Sequence, residues 1–303
     1  MNQATPPVPL ADATRLGLVR LQIADLPRSL AYYQETLGFQ LLERGTDWAT
    51  LGTVDGTPLV QLVARAGARP APAQGRLGLY HFAILLPTRA SLGRLIGHLA
   101  ERRERFGASD HLVSEALYLR DPDGLGIEVY VDRPRSSWRR ENGQVAMDTA
   151  PLDLESVVRD SAGARWTGMP NGTQVGHVHL HVGDLAIASD FYHAALGFER
   201  TVWSYPGALF LAAGGYHHHL GLNTWAGAGA ANPRDDDARL LEWTIVLPSA
   251  EQVRETAARL ERTAHSVERD AHGARAIDPW GTRFRIADEE SYARLTARGG
   301  ASR

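Results

Sequence analysis

Apolar and polar positions alternate along Leu18-Val-Arg-Leu-Gln-Ile-Ala-Asp-Leu26, a period of two that predicts a strand, with Asp25 placed to cap a helix after it. An amphipathic stretch carrying Tyr33 then runs to Leu37-Gly38-Phe39, which reads as that helix with a glycine stop. The same order returns at His177-Val-His-Leu-His-Val-Gly-Asp-Leu185, with Tyr192 in the helix and Leu196-Gly197-Phe198 at its end. Asp25 to Gly38 and Asp184 to Gly197 have equal spacing. A second pair interleaves with the first. Phe82-Ala-Ile-Leu-Leu-Pro87 leads into a helix through Leu99 and then an Asp121-Pro-Asp-Gly124 turn; Trp243-Thr-Ile-Val-Leu-Pro248 leads into a helix through Leu260 and an Asp278-Pro-Trp-Gly281 turn. Asp-Pro-x-Gly between apolar runs is a hairpin signal. Four strand–helix–strands units are therefore predicted, near 16–66, 78–132, 175–226 and 240–288.

The polar stretch 133–174, broken by Pro and Gly, reads as a connection between two halves, 15–132 and 175–290. Residues 1–14 are expected to be a flexible N-terminus and 291–303 a tail. A 44% hydrophobic content in 303 residues is enough for two cores. Net charge is −3, which gives no reason to expect a nucleic-acid or membrane-surface partner. Met1 to Thr14 has neither a basic start nor an apolar run, so it does not read as a signal peptide. A cytoplasmic location is the expectation, with assembly into a homo-oligomer left open. Cysteine is absent. That removes thiolate metal sites and leaves His and carboxylate as ligands, which suit Fe(II), Mn(II) or Zn(II).

This interleaved repeat resembles the vicinal oxygen chelate superfamily of glyoxalases, bleomycin resistance proteins and extradiol dioxygenases, over nearly the whole chain. The resemblance implies an α+β fold of four βαβββ modules forming two cupped mixed sheets, each half of the chain making one. The most specific segment runs from His111 through Tyr118, Asp121-Pro122-Asp-Gly124 and Ile127 to Glu128. It is similar to the signature of extradiol ring-cleaving dioxygenases, whose terminal Glu binds iron. Ser109 departs mildly from that pattern, at a turn position. Alternation sends Glu128 and Tyr130 to one face and Ile127 and Val129 to the other. A Glu buried among such neighbours would be costly without a partner.

In that family the ligands come from the first strand of one unit and the first and last strands of its partner. Residues 78–132 carry matching positions at His81 and Glu128. The remaining ligand belongs at the start of another unit, where the first has Leu18 and the third has His177. Positions matching His81 and Glu128 in the fourth unit are Glu242 and Arg285, and an Arg there would repel a cation. The expected metal set is His81, Glu128 and His177, holding Fe(II), with Mn(II) as the alternative, which implies that units two and three pair across the two halves of one chain or between chains. Two imidazoles and a carboxylate on one face leave open positions for substrate and dioxygen.

His177, His179 and His181 share one strand face, so His179 and His181 are expected to orient the site or touch substrate. In Tyr216-His217-His218-His219, alternation pairs His217 with His219. The resemblance implies an acid–base histidine further along the unit that gives the first His ligand, and His219 is the expected one, with His217 its competitor. The resemblance also implies that His111 and Tyr118 hydrogen-bond a substrate oxygen, and His217, Asn223 and Tyr130 are further candidates for substrate contact. His98, His193, His265 and His272 read as structural. The implied reaction is extradiol cleavage of a catechol-type diol by O2, beside the hydroxyl-bearing carbons. A glyoxalase-like isomerase or thiol transferase, which would bring a second carboxylate, is one rival. A metal-free binder on the same scaffold is the other.

Overall fold

A computed structural model describes residues 8–297, and each predicted unit is a strand, a helix and three strands. The first has strands Arg15–Ile23, Gln40–Arg44, Trp48–Gly52 and Pro58–Ala64; the second has Gly78–Leu85, Gly107–Asp110, Ser114–Arg120 and Gly126–Asp132. Strands Gln174–His181, Glu199–Val202, Ala208–Ala212 and Leu220–Asn223 form the third, and Arg239–Leu247, Val267–Asp270, Gly273–Ile277 and Arg283–Asp288 the fourth. The caps are those the pattern predicts. The Asp25 carboxylate accepts from the backbone N–H of Arg28, and that of Asp184 accepts from Ala186 and Ile187. Among the described residues no helix is long and apolar enough to cross a membrane.

The sheets do not follow the halves of the chain. Units one and four share one eight-stranded sheet, and units two and three share the other. Each sheet is joined through an antiparallel pairing of first strands, Arg15–Ile23 with Arg239–Leu247 and Gly78–Leu85 with Gln174–His181. Units one and two, and units three and four, meet instead through the Asp-Pro-x-Gly turns. Tyr33, fully buried in the first unit's helix, donates its hydroxyl to Asp121 at 3.2 Å, and Tyr192 in the third donates to Asp278 at 2.8 Å. Both carboxylates also accept backbone N–H groups of their own turns. The turns predicted as hairpin punctuation therefore also dock helices. Part of the expected tail is ordered as well. Glu289–Thr296 is a helix whose Tyr292 hydroxyl accepts from the Leu18 N–H at 2.9 Å, while residues 298–303 and 1–7 lie outside the described residues.

Candidate metal centre

The cup of the sheet made by units two and three holds the chemistry. Parallel pairing of Gly78–Leu85 with Gly126–Asp132 sets Ala83 opposite Glu128, and the antiparallel neighbour sets His179 opposite His81. Two irregularities sharpen this arrangement. The register slips between Val175 and His177, and again between His179 and Leu180, so Gly176 and Tyr80 are the extra residues of two bulges. A bulge re-aims side chains locally. Gly176 is glycine because a Cβ there would lie 1.9 Å from the Tyr130 hydroxyl.

His81 Nε2 lies 2.9 Å from Glu128 Oε2, His177 Nε2 lies 3.1 Å from the same oxygen, and the two ring nitrogens are 3.3 Å apart. All three side chains are buried. Adjacent ligands on an octahedral ion, at about 2.1 Å from it, stand about 3.0 Å from one another. The observed triangle fits one face of such a shell. Hydrogen bonds alone explain it less well, since two Nε2 atoms crowd one carboxylate oxygen while His177 Nδ1 is buried without a partner. The protonation states suit a cation too. Burial would raise the Glu128 carboxyl, but His177 and His81 against it outweigh burial and hold it well below its ordinary value. Burial pulls the His177 imidazole down to about 4 despite Glu128. At neutral pH the site thus offers a carboxylate and a neutral imidazole without proton loss. These residues fit a divalent metal.

A cavity of about 240 Å3 opens beside the triad, bordered by His81, Glu128, Tyr80, Phe210, Tyr205 and Trp225 among others. Its floor also carries His111, Tyr118, His179 and His218, and residues 147–149 of the connection close one wall. His111 donates from Nδ1 to the Asp148 carbonyl at 2.8 Å, so its Nε2 accepts from the Tyr118 hydroxyl at 2.6 Å. Burial, then the nearby Glu128 charge, keep that phenol protonated well above its usual range. Asn223 donates from Nδ2 to His179 Nε2 at 2.9 Å and accepts at Oδ1 from His181 Nδ1 at 2.6 Å. Burial, reinforced by His81 and His177, holds His179 neutral.

Sequence similarity places these features in a family. The glyoxalase/bleomycin resistance protein/dioxygenase superfamily model matches residues 15–129 and 174–286. The chain belongs to this superfamily. A relative from Bacillus subtilis (strain 168), described as catechol-2,3-dioxygenase, is 44% identical over 287 residues, 93% of this chain and 96% of its own length. Crystal structures share the fold at low identity. A candidate dioxygenase from Bacillus subtilis subsp. subtilis str. 168 has a TM-score of 0.65 at 14% identity, covering 97% of this chain and 92% of that one. Glyoxalase I from Zea mays has a TM-score of 0.56 at 16% identity, covering 94% and 95%.

Within this superfamily member, the sequence expectations separate cleanly. His81, Glu128 and His177 converge, and His111, Tyr118 and His179 border the cavity. His219 does not. Its Nδ1 accepts from the Ala213 N–H at 3.2 Å and its ring packs near Tyr216 and Phe198, while His218 takes the cavity position. The reason is local. The third unit's last strand begins only at Leu220, and the chain bends at His217 and His219, so alternation does not carry back through the histidines. His217, His181, Asn223 and Tyr130 also fail to line the cavity. Tyr130 packs against His177 with its hydroxyl 2.6 Å from that of Tyr216. His98 and His193 bond to backbone carbonyls, and His265 packs on Phe191. Tyr80, Tyr205, Phe210 and Trp225 were missed, because aromatic residues on strands and loops read as core in a sequence.

The other sheet carries no comparable set among the described residues. Arg285 stands opposite Thr244 as Glu128 stands opposite Ala83. It is fully buried, bonded to Asp270 at 2.8 and 3.0 Å and to Glu242 at 3.4 Å. A guanidinium thus supplies the positive charge there. Arg285→Leu leaves those carboxylates short of a partner, and we expect a loss of about 3 kcal/mol of stability, read from urea melts, with metal content unchanged. An unshifted melt would show that the ion pairs contribute nothing.

Proposed function

We propose that this protein is an extradiol dioxygenase that opens a catechol-type diol with O2 at a non-haem Fe(II) held by His81, Glu128 and His177. The observation that carries this reading is the buried triangle of two imidazoles and one carboxylate opening onto an aromatic-walled cavity. When bound there, iron supplies the template and electron path that the diol and dioxygen require.

The protein's own residues account for the rest. An engineered cavity of about 150 Å3 accepts benzene, so about 240 Å3 suits one substituted ring. Tyr80, Phe210 and Trp225 offer faces and edges for it. His218, kept neutral by burial and then by the neighbouring His177 and His217, is placed to take a hydroxyl proton from the diol. Tyr118, its proton held by His111 Nε2, is placed to accept a hydrogen bond from a substrate hydroxyl with its phenol oxygen. His179 is held by Asn223 against the cavity wall. The triad's single carboxylate favours this chemistry over a glyoxalase-like isomerisation, which is the rival reading.

Anaerobic loading with Fe(II), followed by catechol and air, tests the proposal. A yellow ring-opened product with one O2 consumed per catechol is expected. Turnover of methylglyoxal hemithioacetal without catechol cleavage would replace it with an isomerase.

Gly221 supplies a narrower test. A Cβ there would lie 2.7 Å from His179 Cγ, so Gly221→Ala pushes that ring out of place. Misplacement near 1 Å costs on the order of a hundredfold in rate, and a drop of that order in kcat/KM is expected with metal retained. Unchanged kinetics would remove His179 from substrate positioning.

A further inference from the structure

His218 reaches the cavity from a hydrogen-bonded series that begins on the other side of the cluster. Asp132, at the end of the second unit's last strand, is partly exposed; His217, between it and His218, is fully buried. His217 Nε2 lies 2.9 Å from Asp132 Oδ1, and His217 Nδ1 lies 2.7 Å from His218 Nδ1. The Tyr216 hydroxyl also donates to Asp132 Oδ1, at 3.2 Å.

The direction of this series is set by the donors and acceptors available. A carboxylate only accepts, so His217 must carry its proton on Nε2. In a neutral ring its Nδ1 is then a bare acceptor, and across the contact of 2.7 Å His218 is the donor, from Nδ1. A neutral imidazole has one N–H, which leaves His218 Nε2 with a lone pair. That ring borders the cavity and packs at 4.1 Å, centroid to centroid, from the ring of His177. Packing reinforces the alignment, since Trp138 and Tyr216 lie against His217 at 5.2 and 4.1 Å between centroids.

We propose that Asp132 and His217 are positioning residues that lock His218 in the tautomer whose Nε2 accepts a proton from substrate. This consequence for turnover rests on the dioxygenase reading, whereas the tautomer does not. A carboxylate setting the tautomer of a histidine that performs proton transfer is an arrangement with known catalytic weight. Here a second imidazole is interposed between the two.

Long-range proton–nitrogen NMR of the full chain, with histidine nitrogens labelled, reads the tautomers directly. His218 Nδ1 and His217 Nε2 are expected at protonated shifts, and His218 Nε2 and His217 Nδ1 at unprotonated ones. In D132A the His217 and His218 signals should move toward a mixture of tautomers. In iron-loaded D132A, kcat should fall roughly tenfold to a hundredfold, the size typical of such supporting partners, with KM for catechol and iron content unchanged. D132N, whose amide can donate as well as accept, frees the tautomer and should resemble D132A, whereas D132E, which keeps an accept-only carboxylate, should recover most of the lost kcat. His217→Phe, which removes the acceptor for His218, should resemble D132A. A wild-type His218 protonated on Nε2 would overturn the proposal. So would a D132A chain that melts normally and keeps both its tautomer signals and its kcat. If the wild type opens no catechol, the dioxygenase reading fails while the NMR result still decides the tautomer.

Discussion

Glu128→Gln is expected to leave the fold intact and abolish both metal retention and ring cleavage. The substitution keeps the shape of a side chain that is 3% exposed but removes the one anion in the triad. A neutral amide oxygen between two imidazoles no longer balances a divalent charge in a buried site. Histidine removal differs in its effect on stability. His81→Ala or His177→Ala also loses the metal, but leaves the Glu128 carboxylate with one imidazole instead of two. Leaving a buried carboxylate short of a hydrogen-bond donor costs about 1–3 kcal/mol, so these variants should melt earlier in urea while Glu128→Gln does not. Metal addition separates the cases further. A ligand at a hundred times its dissociation constant stabilises the folded state by about 2.7 kcal/mol, and only the wild type should show such a shift with Fe(II). Elemental analysis and urea melts on the same preparations check both parts. Full metal content in any one variant would remove that residue from the ligand set.

His218→Asn should lower kcat by about 10²–10⁴-fold, the usual weight of a general acid–base residue, with iron content unchanged. The neighbouring substitution His219→Gln should leave kcat near wild type, because that ring faces Tyr216 and Phe198 and its Nδ1 is occupied by the Ala213 N–H. Steady-state kinetics on the pair assigns the proton-transfer role to one side of the bend or the other. Loss confined to the His219 variant would reverse the assignment.

The contrast between those adjacent histidines shows where sequence reasoning stops. Strand alternation puts Glu128, His177 and His179 on the cup face, where the structure has them, because Glu128 lies inside a strand and His177 and His179 fall between the two bulges. It failed at His218 because the strand there has not yet begun. Tyr80 was hidden for a related reason, being the extra residue of a bulge that turns it toward the same cup as His81. Nothing in a single sequence marks a bulge residue that is not glycine. Residues 147–149 border the cavity from a connection with no periodicity, so no pattern announced them. The four units were plain from spacing and caps. Their pairing was not plain from periodicity and showed only in the ligand count that joins units two and three, since first strands of similar pattern compete for one another and long-range docking of Tyr33 on Asp121 and Tyr192 on Asp278 is invisible in local periodicity.

That pairing bears directly on the centre. Units two and three lie in different halves of the chain, yet their first strands are hydrogen-bonded neighbours, so a ligand from each half reaches one point. An anomalous difference map at the iron edge, from crystals of the Fe(II)-loaded protein, tests this most directly. A single peak within bonding distance of His81 Nε2, His177 Nε2 and Glu128 Oε2 of the same chain is the predicted result. A peak elsewhere, or ligands shared between two chains, would contradict the account.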